Sequence, residues 1–462
     1  MNPRSFLDGR VALYPGDSLD VLKLIPENSI DSVVCDPPYH LTSIVKRFGA
    51  ENATACKIGK TGAYARASAG FMGKQWDGGD IAFRVETWAA VMRVLKPGGH
   101  LVAFSGTRTY HRMACAIEDA GFEIRDQIGW AYGSGFPKSH DVSKGIDKQA
   151  GAQRERIVTG KAVKRMIPGA DQNSDGSWIK DNGRVYEPGI EIPTTDAAKQ
   201  WQGWGTALKP AWEPIVLARK PLIGTVAENV LRHGTGALNI DGCRIEAQSR
   251  PLLELDAKAS ANGAVYSGRR EAGHGFDGGS KAVGSTDLGR WPANLVHDGS
   301  EEVLAAFPES AGQQGDVRGT EPSRTGGDGT NCYGEYGRIA TEARGDGGSA
   351  ARFFYTAKAD SEDRLGSKHP TVKPLDLMQW LVRLVTPKGG TCLDPFAGTG
   401  TTGEAAWREG MNAVLIEREA EYLDDIARRM RLAERPDERA ATARAKGKVD
   451  TFESLPLFGA AV

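Results

Sequence analysis

The sequence lacks the features that mark membrane proteins and disulfide-bonded or zinc-binding proteins. None of its six cysteines lies at CxxC spacing from another, so neither a zinc site nor a disulfide framework is expected. No apolar run approaches about 18 residues, and the opening MNPRSFLDGR has no apolar signal core. These absences predict a protein of the reducing cytoplasm, without a membrane span and without a bound metal.

An excess of charge of either sign is also missing. The net charge is −1 over 462 residues. A nucleic-acid partner would therefore have to be bound by a local basic surface rather than by the overall charge. The length allows more than one unit, since domains usually run to about 100–200 residues.

Two blocks of the chain alternate between predicted strands and helices. This alternation predicts an α/β fold with a mostly parallel sheet and helices on both faces. Strands are expected at residues 11–14, 32–35, 100–104, 122–132, 213–221, 353–357, 391–393 and 413–416. Helices are expected at residues 19–24, 81–94, 107–120, 375–386, 401–410 and 422–433. Between about residues 133 and 350 the periodicity fades, but several tryptophans there favour a folded, loop-rich region over a disordered linker.

The predicted strand before residue 36 ends on Asp36-Pro37-Pro38-Tyr39. Two consecutive prolines cannot donate backbone hydrogen bonds, and they end both helices and strands. The ending presents a carboxylate, a carbonyl without a competing partner and an aromatic ring at the carboxyl end of a strand, where open α/β sheets bind ligands. The alternative is a proline-capped turn with a core tyrosine.

A glycine-rich turn, CLDPFAGTGTT, joins a short apolar strand to a helix. Glycine lets the backbone approach a ligand closely, and the helix N-terminus offers free N–H groups. An acid, Glu417, ends the next strand about twenty residues further on, where it can hold the ribose hydroxyls of a nucleoside. An ordinary tight turn is the alternative.

Together these motifs resemble those of S-adenosylmethionine-dependent DNA amino-methyltransferases of the β arrangement, in which DPPY precedes FxGxG. The likeness extends to YPGDSLDVLKLIPENSIDSVVCDPPY, RVLKPGGHLVAFSG and KHPTVKPLDLMQWLVRLVTPKGG. It implies a doubly wound, mostly parallel sheet of the Rossmann-like class I methyltransferase type. WAYGSGFPKS and EPIVLARKP would form a terminal antiparallel hairpin of that sheet, and an irregular recognition region would be inserted.

The resemblance implies a division of the chain. The methyltransferase domain would comprise residues 1–135, 209–221 and 351–435. A basic insertion would occupy residues 136–208, a target-recognition region residues 222–350, and a flexible tail residues 436–462. Phosphate contacts are expected from the basic run, whose alternative is a solvated loop: Lys138, Lys144, Lys148, Arg154, Arg156, Lys161, Lys164 and Arg165.

Roles follow from the resemblance for individual residues. The Asp36 carboxylate and the Pro37 carbonyl would each accept one N–H of a base amine, and Tyr39 would stack on the flipped base. With Pro38 these residues form the predicted catalytic motif. The expected cofactor-binding residues are Asp17, His369, Thr371, Lys373, Asp394, Phe396, Gly398, Thr399, Gly400, Thr401 and Glu417. Asp17 has a plain alternative as the N-cap of the helix at residues 19–24. Trp130 or Phe136 could flank the base, although a strand aromatic is more often core.

The implied activity is methyl transfer from S-adenosylmethionine to the N6 amine of adenine in a specific sequence of double-stranded DNA. Such an enzyme belongs to bacterial or phage restriction–modification. Methylation of cytosine N4 stays open, although those enzymes more often carry serine in place of Asp36. Methylation of RNA or of a protein amide, and an inactive DNA-binding module, are further alternatives. The oligomeric state is left open.

The end of the chain carries a short apolar motif, SLPLF, after a charged stretch. It resembles the Leu-x-Leu-Phe peptides by which bacterial DNA-processing proteins bind the replication sliding clamp. The residues concerned are Leu455, Leu457 and Phe458. Docking of this segment onto the enzyme itself is the alternative.

Overall fold

The computed structural model describes two compact units. Residues described are 2–39, 80–135, 139–160, 163–164, 185–186, 188–247, 250–255, 280–286, 288–310, 347–357, 361–367, 369, 372–435, 437–439 and 442. The first unit comprises Met1–Ala131, Glu213–Ala359 and Pro370–Met430, and the second Tyr132–Trp212, Asp360–His369 and Arg431–Val462. None of the described helices combines the length and apolarity needed to cross a membrane.

The described elements are numbered in chain order. The strands are β1 Arg4–Phe6, β2 Val11–Pro15, β3 Ile30–Cys35, β4 Leu95–Phe104, β5 Glu123–Ala131, β6 Glu155–Val158, β7 Val163–Lys164, β8 Val185–Tyr186, β9 Gly189–Ile192, β10 Trp212–Arg219, β11 Arg250–Leu255, β12 Ser280–Thr286, β13 Leu295–His297, β14 Glu309–Ser310, β15 Gly348–Ser349, β16 Tyr355–Thr356, β17 Thr391–Asp394 and β18 Asn412–Glu417. The helices are α1 Ser18–Leu22, α2 Val85–Val94, α3 Tyr110–Asp119, α4 Val142–Gln149, α5 Asp196–Gln200, α6 Val226–His233, α7 Glu301–Ala306, α8 Leu375–Val385, α9 Thr401–Arg408 and α10 Ala420–Ala433. Short 3₁₀ helices lie at Ile81–Phe83, Asp241–Cys243, Ala350–Phe353 and Ser361–Arg364.

A ten-stranded sheet organises the first unit, in the order β1-β2-β18-β17-β3-β4-β10-β5-β13-β16. Neighbouring strands from β2 to β4 are parallel, whereas β1 and β10 run antiparallel to β2 and β4. The predicted α/β class with a mostly parallel sheet is confirmed. The antiparallel hairpin that was expected to end the sheet is not terminal, because β13 and β16 extend the sheet in parallel beyond β5.

The parallel strands bring their carboxyl ends to one edge. Every residue of β3 is buried, as expected of a central strand covered on both faces. On one side Trp88, Val91 and Val94 of α2 pack into the core. Because β10 is antiparallel to β4, with Ile215 opposite Phe104, its amino end lies at the same edge. This edge is where ligands bind in open α/β sheets.

Among the strands, two differ clearly from the sequence expectation. β4 begins at Leu95 rather than at residue 100, because the Lys-Pro-Gly-Gly stretch forms the first part of the strand. There the Gly98 N–H donates to the carbonyls of Lys220 and Pro221. The strand expected at residues 353–357 is instead a 3₁₀ helix, Ala350–Phe353, followed by the two-residue β16.

The second unit is held by a buried acid, Asp147 in α4. Its carboxylate accepts from the Arg154 side chain at 2.7 Å, from the backbone of Thr194, and from the backbone and hydroxyl of Thr195. β6 and β9 pair antiparallel beside it. Of the predicted basic run, Arg154 is therefore a structural partner of Asp147 and Lys144 pairs with Glu191, whereas Lys148 is exposed. Lys138, Lys161 and Arg165 lie outside the described residues.

Candidate functional site

Asp36 lies directly after β3, and both of its carboxylate oxygens have partners. The Tyr39 hydroxyl donates to Asp36 Oδ1 at 2.6 Å, across the two prolines. Lys373 Nζ lies 3.2 Å from Asp36 Oδ2. The Thr109 hydroxyl, just after β4, donates to the Tyr39 carbonyl at 3.2 Å. The motif is therefore a fixed turn with a polar, half-buried outer face.

The ammonium of Lys373 is shared by several groups. Besides Asp36, Lys373 Nζ contacts Glu213 Oε2 at 2.8 Å and the Tyr39 hydroxyl at 2.9 Å. It also lies over the Phe104 ring, 4.7 Å from the centroid. Glu213 stands at the amino end of β10, so the antiparallel strand places an acid beside the carboxyl end of β3.

Charge explains how these buried groups titrate. Burial alone lowers the pKa of Lys373, but attraction to Asp36 and Glu213 outweighs it and raises that pKa above the ordinary value. Burial raises the pKa of Glu213, and the carboxylate of Asp36 raises it further against the pull of Lys373. Lys373 is thus held as a cation between two acids, and Glu213 takes up a proton more readily than an ordinary glutamate.

The glycine-rich turn lies between β17 and α9, next to β3. Gly398 and Gly400 have φ of 53° and 78°, the left-handed region that glycine adopts without strain. The Gly398 N–H donates to Glu417 Oε2 at 2.8 Å. Asp394 accepts from the Phe396 N–H at 3.0 Å and from the Thr402 hydroxyl at 2.6 Å. Two acids therefore lie beside the turn, on the ends of β17 and β18.

Both acids have a pKa raised to about 7. Burial is the main cause for Asp394, and the negative charges of Asp36 and Glu417 add to it, against the hydrogen bonds of Thr402 and Phe396. Burial is also the main cause for Glu417, against hydrogen bonds from backbone N–H groups. A ligand that brings hydroxyl donors or a positive charge would match this pair.

The site contains structural residues that the sequence analysis overlooked. Arg429 is buried, donates to the Thr399 carbonyl at 2.8 Å and pairs with Glu404 at 2.9 Å. Gly403 is the third glycine of a Gly-x-Gly-x-x-Gly spacing. A Cβ there would meet Leu415 at 2.7 Å, so it allows α9 to lie close to β18. This spacing also suits a dinucleotide turn.

The other predicted cofactor residues are placed as follows. Asp17 caps α1, its side chain accepting from the Leu19 N–H, which is the plain alternative given above. Phe396 packs against the core, and Thr399 and Thr401 are buried in the turn. His369 belongs to the second unit, where its carbonyl accepts from Arg364.

Three residues remain from the sequence analysis. Thr371 and Phe136 lie outside the described residues. Trp130 is buried in β5.

S-adenosylmethionine fits the chemistry of these side chains. Its ribose hydroxyls are donors, and Glu417 offers carboxylate oxygens to receive them. Its ammonium group would match Asp394, whose buried carboxyl has no cation partner among the contacts described for it. Lys373, also expected to bind the cofactor, has its ammonium beside the carboxylates of Asp36 and Glu213.

The chain matches known DNA methyltransferases. The family model described as DNA methylase, for N6 and N4 methyltransferases, matches residues 30–428. The Type II methyltransferase M.HindIII of Haemophilus influenzae is 25% identical over 241 residues, which are 49% of this chain and 64% of that protein. M2.DpnII of Streptococcus pneumoniae is 43% identical over 68 residues, 15% of this chain and 25% of that protein.

Among solved structures, the PvuII DNA methyltransferase (cytosine-N4-specific) is 13% identical, with a TM-score of 0.37 and coverage of 96% of this chain and 97% of that one. The likeness is too distant to say anything about the substrate. The chain spans less than two thirds of the curated relatives above. The family model, however, covers most of the chain, including β3, the glycine turn and Glu417. The chain belongs to the DNA methylase family of N6 and N4 methyltransferases.

Proposed function

We propose that this protein transfers a methyl group from S-adenosylmethionine to the N6 amine of adenine in a specific sequence of double-stranded DNA. The observation that carries the proposal is the position of Asp36 beside Asp394 and Glu417, on the ends of three adjacent strands. An acceptor for an amine thus lies next to acids suited to a nucleoside cofactor. M.HindIII and M2.DpnII, its relatives, are Type II methyltransferases.

Asp36 and Pro37 would prepare the amine. An exocyclic amine is a poor nucleophile because its lone pair is delocalised into the ring. When the Asp36 carboxylate and the Pro37 carbonyl each accept one N–H, the lone pair is drawn out of conjugation and aimed at the methyl group. The amine would replace the Tyr39 hydroxyl as a hydrogen-bond donor to Asp36, and the Tyr39 ring would stack on the flipped base.

DNA recognition would fall to the inserted regions. We place target reading in residues 222–350 and phosphate contacts in residues 136–208. In support, Trp291 is 64% exposed with the Arg244 guanidinium 5.3 Å from its ring centroid. Base–aromatic stacking and Arg contacts are common in nucleic-acid binding. β13 lies within residues 222–350 and pairs with β5, so the recognition region shares the main sheet.

The tail motif at residues 455–458 lies outside the described residues. We propose that it binds the sliding clamp. A synthetic peptide of residues 451–462 would then bind the clamp, and Phe458→Ala would remove that binding. Absence of clamp binding at millimolar peptide would assign the segment to another partner or to the enzyme itself.

The test of the activity is tritium transfer from labelled S-adenosylmethionine to duplex DNA, followed by nucleoside analysis. N6-methyladenine is expected. N4-methylcytosine would move the assignment to the other amine of the family. Transfer to RNA or to protein alone would overturn the proposal, and so would the absence of transfer to any substrate when the cofactor is bound.

A further inference from the structure

Glu213 has no role in the function proposed above, yet it completes a chain of contacts that starts at Asp36. Lys373 Nζ lies 3.2 Å from Asp36 Oδ2 and 2.8 Å from Glu213 Oε2. The three side chains are 21%, 7% and 18% exposed in the order Asp36, Lys373 and Glu213. One ammonium therefore bridges two mostly buried carboxylates.

Methyl transfer leaves a proton to be removed. S-adenosylmethionine, when bound, supplies a methyl group whose bond to sulfur breaks with the electron pair staying on sulfur. The amine lone pair forms the new N–C bond, so the nitrogen becomes positively charged and must lose one proton. Asp36 is the nearest acceptor if it holds this amine. An acceptor that kept the proton would no longer be ready for the next amine.

Building on the proposed function, we propose that Glu213 is a positioning residue for methyl transfer, which receives through Lys373 the proton that Asp36 takes from the amine. Asp36 passes its proton to Lys373 as Lys373 passes another of its protons to Glu213. The ammonium keeps three protons throughout. The net result is one N–H bond broken at the amine, one O–H bond formed at Glu213, and Asp36 restored as an anion.

The charges of the cluster favour this direction. Before transfer, two carboxylates face one ammonium, which leaves one negative charge for the sulfonium cation. After transfer, the sulfonium charge is gone, Glu213 is neutral, and the charges of Asp36 and Lys373 cancel, so the net charge of the site is again zero. Among the described residues, Lys373 contacts Glu213 directly and the charge of Asp36 acts on it, while Tyr39 contacts Lys373 from the same turn as Asp36. Burial and the charge of Asp36 both raise the pKa of Glu213, against the charge of Lys373, and this net rise favours uptake of a proton by the Glu213 carboxylate.

Proton release on ligand binding tests the proposal without turnover. Calorimetry in two buffers of different ionisation enthalpy counts the protons released by S-adenosylmethionine and by S-adenosylhomocysteine, which lacks the sulfonium charge. At a pH near the Glu213 pKa, S-adenosylmethionine should release more protons than S-adenosylhomocysteine from the wild type, and Glu213→Gln should reduce that difference. A difference between the two ligands that is the same in the wild type and in Glu213→Gln overturns the proposal.

The matched control is Glu123→Gln. Glu123, the first residue of β5, accepts from Arg219 at 2.6 Å near the opposite end of β10, so this variant removes an acid that contacts the same strand but lies outside the site. The difference in proton release should persist in it. Loss of the difference in Glu123→Gln as well would assign the effect to strand β10 in general and overturn the proposal.

Turnover gives a second measurement. Glu213→Gln should lower kcat by roughly 10²-fold, as for loss of a proton-transfer group, with KM for the duplex nearly unchanged. Glu213→Asp should restore part of kcat and move the acid limb of the single-turnover pH profile to lower pH, because Asp is the stronger acid. An unchanged kcat and profile in both variants would overturn the proposal. A wild type that binds the cofactor but methylates nothing would instead overturn the proposed function.

Discussion

Arg429 Nε donates to the backbone carbonyl of Thr399 at 2.8 Å, and this bond ties α10 to the glycine turn. The same guanidinium pairs with Glu404 in α9 at 2.9 Å, and both side chains are fully buried. The conformation of the turn therefore depends on a buried cation from a different helix. Arg408, about a third exposed, is a second partner of Glu404 at 2.9 Å.

Replacing this cation should damage both stability and cofactor binding. Arg429→Met removes one of the cations that pair with buried Glu404, and removal of one partner of a buried pair costs about 3–5 kcal/mol. We expect a cost near the lower end, since Arg408 stays. Thermal unfolding should show a lower midpoint, and calorimetry a weaker affinity for S-adenosylmethionine.

The control for this variant is Arg428→Met. Arg428 pairs with Asp425 within α10 and is about a third exposed. It should change the midpoint and the affinity far less than Arg429→Met. An Arg429→Met protein that binds the cofactor with wild-type affinity would show that the turn does not need this bond.

Gly398 should matter for the cofactor beyond its backbone conformation. At φ 53° any other residue is strained by roughly 1–2 kcal/mol, and Gly398→Val also brings a branched side chain beside Glu417. The affinity for S-adenosylmethionine should fall more than tenfold. Gly410→Val is the matched control, because its φ is 79° and nothing lies within 4 Å of a Cβ there. It should lose comparable stability but keep its affinity; equal losses of affinity would refute a cofactor role for the turn.

Asp36→Ala should separate binding from chemistry. The variant loses the amine acceptor, so methyl transfer should fall by at least about 10²-fold, the typical contribution of a positioned catalytic group. Cofactor affinity should stay within a few-fold of the wild type, measured by calorimetry. Asp20→Ala, whose exposed partner is Lys23, should behave as wild type. Substantial turnover by Asp36→Ala would remove Asp36 from the mechanism.

The sequence was sufficient for features that are local in the chain. Asp36 to Tyr39 and the turn around Gly398 are short contiguous motifs, and the alternation of strands and helices predicted the parallel sheet. Glu213 and Lys373 are 160 residues apart, and they meet because β10 runs antiparallel beside β4. No periodicity carries that information. The structural role of Arg429 could not be predicted from the sequence either, because charged residues in helices are mostly exposed.

Trp291 should contribute to DNA binding and not to cofactor binding. Its ring is largely exposed beside Arg244, an arrangement suited to a stacked base. Trp291→Ala should weaken binding of the cognate duplex about tenfold in a fluorescence anisotropy titration at fixed salt. The affinity for S-adenosylmethionine should not change. Trp204→Ala, a tryptophan 59% exposed in the second unit, is the comparison. Equal effects of the two variants would argue against a recognition role specific to Trp291.

The pH dependence of stability should reveal the acids beside the glycine turn. The fold raises the pKa of Asp394 from its ordinary value of 3.8, and that of Glu417 from 4.5, to about 7 in each case. Between these limits the folded protein binds more protons than the unfolded chain, so stability falls as the pH rises. The stability that the protonated forms of these two acids contribute is fully present below about pH 4 and lost above about pH 7.

Bound S-adenosylmethionine should oppose this loss, because its positive charge and hydroxyl donors favour the ionised acids. The thermal midpoint of the ligand-free protein should therefore decline from pH 5 to pH 8 more steeply than that of the complex. Glu417→Gln removes one of these ionisations, and its ligand-free decline should be clearly less steep. The exposed Glu421→Gln in the first turn of α10 is the control and should keep the wild-type slope. A wild-type slope in Glu417→Gln would show that Glu417 is already ionised in the free protein.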